Sequence, residues 1–100
     1  MEFKSFQDFY PFYLGEHANL TCRKLHFIGT CGVLSLLILF FFTGNLVLLA
    51  LLPVVGYGFA WAGHMLFEKN RPATFKYPFY SLLGDFRMFW DILVGRVKAF

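Results

Sequence analysis

A chain of 100 residues with 58% hydrophobic and only 15% charged side chains holds more apolar surface than one small soluble core can bury, so a bilayer is the expected solvent. The net charge of +3 is modest and comes from basic residues flanking the apolar runs. That distribution suits anionic lipid headgroups and argues against a nucleic-acid partner.

The chain opens on an aromatic stretch: Phe3, Phe6, Phe9, Tyr10 and Tyr13 follow helical spacing. The pattern predicts a short amphipathic helix over 3–13 lying at the membrane interface, ended or kinked by Pro11. Glu2, Lys4 and Asp8 stand among these aromatics and no apolar core followed by small residues occurs, so no cleavable signal peptide is expected there.

Residues 15–22 read as a connection in which Asn19 or Thr21 can cap the next helix. From Leu25 to Phe67 no residue carries a formal charge, and the run is long enough to cross a bilayer twice. The first transmembrane helix is expected over 20–43 and the second over 46–69, joined by a tight turn at Thr43-Gly44-Asn45. Pro53 should bend the second span. Gly29 and Gly32 on one helix and Ala60 and Gly63 on the other offer small faces for close approach. Cys22 and Cys31 fall on opposite faces of one helix, so no disulfide between them is expected. Residues 80–98 form an amphipathic pattern, read as an interfacial helix with packing on the hairpin as the alternative.

The predicted fold class is therefore an all-α membrane protein, a two-span transmembrane hairpin with interfacial amphipathic helices at both ends. All nine Lys and Arg lie before Leu25 or after Phe67, which places both termini on the cytoplasmic side. The oligomeric state stays open, and a homo-oligomer is compatible with the pattern.

The polar residues of the second span concentrate the chemistry. Tyr57, Trp61, His64 and Glu68 fall within roughly 60° of arc on one helix face. Such a stripe at the end of an apolar helix requires a partner, a water-filled cleft or a metal. Counted from the shared turn, His26 and His64 lie at depths differing by about 3 Å. The loop before the first span can fold His17 over them. Three imidazoles with one carboxylate, Glu68 or Glu16, suit Fe(II), Zn(II) or Cu(II). Tyr57 and Trp61 are read as packing residues. An interfacial hydrogen-bonding role is the plainer reading for each histidine taken alone.

Taken together, Phe12-Tyr13-Leu14-Gly15-Glu16-His17 with Asn19, then Leu25-His26-Phe27-Ile28-Gly29, then Gly63-His64 with Phe67-Glu68-Lys69-Asn70-Arg71-Pro72-Ala73, resemble the Mpo-type family. The tail from Gly84 to Asp91 is similar to its compact bacterial-type branch. The resemblance implies an Fe(II)-dependent dioxygenase acting on 2-hydroxy fatty acids in α-oxidation. His17, His26 and His64 would be the metal ligands, Glu68 and Arg71 the catalytic residues, and Arg23, Lys24 or Arg71 would hold the substrate carboxylate. The acyl chain would lie along the hairpin within lipid. Two rival expectations are a non-catalytic membrane scaffold with a structural histidine cluster, and a haem protein using His26 and His64 in a dimeric bundle. The membrane would be the bacterial inner membrane or the endoplasmic reticulum, depending on source.

Overall fold

The computed structural model describes residues 3–100, and these are helical throughout their regular parts. Helix α1 runs Phe6–Glu16, α2 Leu20–Thr43, α3 Leu46–Gly63 and α4 Pro78–Leu93. A single π turn, His64–Glu68, continues α3, and a 3₁₀ turn, Ala73–Phe75, precedes α4.

Helices α2 and α3 make the expected antiparallel hairpin, and both are long and apolar enough to cross a membrane. Each starts on an asparagine cap. Asn19 accepts from the Cys22 N–H and Asn45 from the Val47 N–H, each satisfying a donor that the first helical turn leaves free. Gly44 closes α2 at φ 68°, a left-handed conformation that costs a residue without Cβ little.

What lies inside the bundle is unusual for a soluble protein. The buried residues of α2 and α3 are Cys22, His26, Gly29, Thr30, Ala60 and Gly63, small or polar, while Ile38, Phe41, Phe42, Leu46 and Val54 face outward. In α4 the buried stripe is Ser81, Gly84, Met88 and Asp91, whereas Phe79, Leu82, Trp90 and Leu93 are exposed. A bundle that hides its small and polar groups and shows its large apolar ones fits a lipid solvent.

The hairpin closes where it has no side chains. A Cβ on Gly29 would stand 3.0 Å from the Phe59 Cβ, and one on Gly63 would stand 3.0 Å from Cys22 Sγ and 3.2 Å from its Cα. Helix α4 lies across both α1 and α2. Phe27 stacks on Phe89 at 4.7 Å, and the Tyr13 ring occupies the space over Gly84. Phe9, Tyr10, Tyr13, Ala73 and Met88 form the apolar core between α1 and α4. Inside that contact the Tyr10 hydroxyl and Arg87 both donate to Asp91 Oδ2, at 2.8 and 3.0 Å.

Two expectations are corrected here. The first helix begins later than expected and continues through Pro11 to Glu16. Packing of Phe9, Tyr10 and Tyr13 on either side outweighs the one hydrogen bond the proline removes. It therefore supports α4. The last helix runs Pro78–Leu93 rather than 80–98. It ends because Gly95 takes φ 85° and the N–H groups of Arg96 and Val97 both turn back to the Asp91 carbonyl. Both cysteines are free thiols, as expected.

Candidate metal centre

The residue that caps the C-terminus of α1, the second turn of α2 and the start of the π turn meet at one point. His17, His26 and His64 are 1%, 4% and 1% exposed. His17 Nε2 lies 3.1 Å from His26 Nε2 and 2.9 Å from His64 Nε2. Each ring is held from behind through Nδ1. That of His17 donates to the Tyr13 carbonyl at 2.6 Å and that of His26 to the Cys22 carbonyl at 2.9 Å. That of His64 donates to Asn70 Oδ1 at 2.7 Å. The Asn70 amide nitrogen donates to the Glu16 carbonyl at 3.1 Å, so its oxygen is the atom facing His64.

These partners decide the tautomers. Carbonyl oxygens can only accept, so every Nδ1 carries the proton and every Nε2 presents a lone pair in the neutral ring. Three lone pairs then converge within 4.8 Å with no donor between them. Burial holds His17 down at about 2, so protonation of that ring is no remedy near neutral pH. A cation could be held by such an arrangement. Imidazoles at right angles about an ion with bonds of about 2.1 Å stand about 3.0 Å apart, which matches both short separations. A second imidazole nitrogen fixed by a carbonyl or amide is also how metal-binding histidines are oriented. The donor set fits a divalent transition metal.

The pocket at this point is about 10 Å³, the room of roughly one water-sized sphere. Its wall includes two buried donors without a hydrogen-bond partner among the described residues, Trp61 Nε1 and Ser81 Oγ. Trp61 was expected to be packing alone. Ser81, on the buried stripe of α4, gave no sequence signal beyond a polar residue at helical spacing with Gly84 and Met88. Asp85 also lines the pocket. Its carboxyl accepts from the Tyr13 hydroxyl at 2.5 Å and is pushed up to about 7 by burial. The same Tyr13 stacks on His17 with centroids 3.9 Å apart, and burial raises its own hydroxyl well above the usual range.

The remaining expected residues are not brought here. Glu68 accepts a hydrogen bond from the Asn19 N–H at the start of α2. Its carboxylate is taken up by that contact and does not line the histidine pocket. Arg71 is exposed, with its guanidinium 5.6 Å from the centre of the Phe75 ring. Arg23 donates to the His17 carbonyl at 2.6 Å and the Lys98 carbonyl at 3.0 Å, and so fixes the backbone behind His17. Lys24 lies over Phe100.

The family described as 2-hydroxy-palmitic acid dioxygenase Mpo1-like matches residues 3–97, nearly the whole chain. No curated protein and no solved structure matches it. The chain belongs to the Mpo1-like family.

Proposed function

We propose that this member of the Mpo1-like family is a membrane-embedded Fe(II)-dependent dioxygenase that shortens a 2-hydroxy fatty acid by one carbon. The observation that carries the reading is the convergence of three Nε2 lone pairs whose Nδ1 protons are all held by acceptors. The reaction balances without a further co-reactant: one 2-hydroxy acid and one O₂ give the acid one carbon shorter, one CO₂ and one water. O₂ takes the four electrons that leave the two terminal carbons. No nicotinamide or flavin pocket is therefore required.

When bound, the metal supplies Lewis acidity toward the hydroxy acid and a redox centre for O₂. The protein's own groups do the rest. Tyr13, Cys22 and Asn70 keep the three rings aimed inward. Trp61 and Ser81 leave a free N–H and O–H on the wall of the histidine pocket, each available to an oxygen atom bound there, where contact away from water is strong. Asp85, with its carboxyl near 7, takes or returns a proton close to neutral pH. Arg23 and Lys24 are engaged elsewhere and leave that oxygen atom to Trp61 and Ser81. The substrate comes from the membrane, and both termini face the cytoplasm.

The haem reading finds no support in this geometry. His26 and His64 are buried and face His17, so neither can present Nε2 to a haem shared with a second chain. The test is anaerobic purification in mild detergent with metal analysis, followed by turnover of 2-hydroxypalmitate under O₂. Bound iron with equal yields of the shortened acid and CO₂ is the expected result. A protein that takes up no divalent metal and turns over no hydroxy acid would be the non-catalytic scaffold instead.

A further inference from the structure

A second cavity, about 360 Å³, runs along the hairpin between α2 and α3. Its polar groups, His26, Thr30, Tyr57 and Asp85, belong to the end nearer the histidines, and Val33, Leu37, Leu52 and Pro53 line the rest. His26, Ala60 and Asp85 also line the small histidine pocket, so the two spaces share a wall. From His26 to Leu37 the groove follows α2 for about 16 Å. Pro53, Leu82 and Phe86 on its rim are exposed, so it opens on the surface that faces lipid. Gly56 keeps it open: a Cβ there would stand 3.2 Å from Val33 Cγ2 and narrow the channel.

An apolar trough with one polar end, ending against a metal-type donor set, has the shape of a single-chain amphiphile. We propose that this groove seats the substrate's alkyl chain, head at His26 and tail toward Leu37 and Leu52, and so reads chain length by depth. The proposal rests on the dioxygenase reading for the identity of the head group. Lipid is as apolar as the groove wall, so burial there adds little affinity. The groove acts by shape: it aligns the chain with the histidines, and a side chain placed at a given depth excludes only chains that reach it.

The experiment compares 2-hydroxyoctanoate with 2-hydroxypalmitate in Leu52→Trp, Leu37→Trp and a lipid-facing control, Leu51→Trp, each checked for wild-type metal content. Turnover is read as the ratio of kcat/KM for the long acid to that for the short one. Binding is read separately, by displacement of a fluorescent fatty acid from metal-free protein. Either plug at the far end should lower the long-to-short ratio about tenfold or more in both readouts, the scale on which pockets discriminate by bulk. The control should leave the ratio as in wild type. Plugs that change both acids equally, or neither, overturn the groove. If no acid is turned over by metal-loaded wild type but displacement shows the depth dependence, the dioxygenase reading fails and the groove stands. If turnover is robust and the ratio is flat, the reverse holds.

Discussion

His17 and His64, 47 positions apart in the chain, face one another Nε2 to Nε2 at 2.9 Å, and neither ring has a proton to place between them. Such a contact is unfavourable between two bare lone pairs, and a shared cation would relieve it.

The three histidines should therefore act as one unit. His17→Ala, His26→Ala and His64→Ala should each remove most bound metal and nearly all turnover, and double variants should be hardly worse than single ones. The protein should still insert, since insertion depends on the apolar runs. Glu68→Gln should keep its metal, because that side chain caps α2 instead of joining the rings. Metal analysis of the purified set decides it, and wild-type metal in His17→Ala would exclude the three-histidine centre.

Asn70 should matter nearly as much as a ligand. It connects the Glu16 carbonyl to the His64 Nδ1, so Asn70→Ala frees that ring to rotate and leaves the carbonyl without this donor. Loss of such a supporting partner typically lowers metal affinity about 10–100-fold. Competition with a chelator of known affinity measures it. Unchanged affinity would mean that packing alone orients His64.

Gly63→Leu should separate the spans beside His64. A side chain there meets Cys22 sulfur and backbone at once, and the backbone cannot swing away. Metal occupancy should fall although no ligand is touched. Full occupancy with an unchanged melting profile would contradict the close contact.

Asp85 gives a pH signature in the metal-free protein. Its carboxyl is raised to about 7 in the folded state, so the folded chain holds a proton that the unfolded chain has released above about pH 4. Stability from this group is fully present at low pH and is lost as pH rises toward 7. His17 works in the opposite sense: burial depresses it to about 2, so its penalty fades as pH rises through the usual histidine range. Asp85→Asn removes only the first effect. The difference in unfolding free energy between variant and parent should change by at most about 4 kcal/mol between pH 4 and 7. A constant difference would show that Asp85 is ionised throughout.

Topology is tested with tags. Tags on both ends should be accessible in inverted vesicles and protected in right-side-out ones. Tags on opposite sides would end the hairpin arrangement.

The hairpin was legible because its determinants are one-dimensional. An uncharged run long enough for two crossings, Asn19 and Asn45 as caps and Gly44 at the turn are local features, and they fix α2 and α3 whatever else is present. Counting from the turn also paired His26 with His64, since helix rise converts position directly into depth. The ends of α1 and α4 were not legible, because Pro11 is overridden by packing against α4, and Gly95 acts through carbonyls it meets only after folding.

Within the site, sequence alone singled out the three histidines, and the fold decided their company. Glu68, expected beside His64, accepts from the Asn19 N–H at the start of α2 instead. Ser81 carries no motif, and the family-like blocks that hold Asp85 and Asn70 gave neither of them a role. All three matter because α4 crosses the hairpin and because the chain after the π turn, through the left-handed Lys69, swings Asn70 back beside His64. Residue type and spacing set what a side chain can do; which lone pairs and protons face each other is set by the angles at which the helices cross, and those exist only in the folded chain.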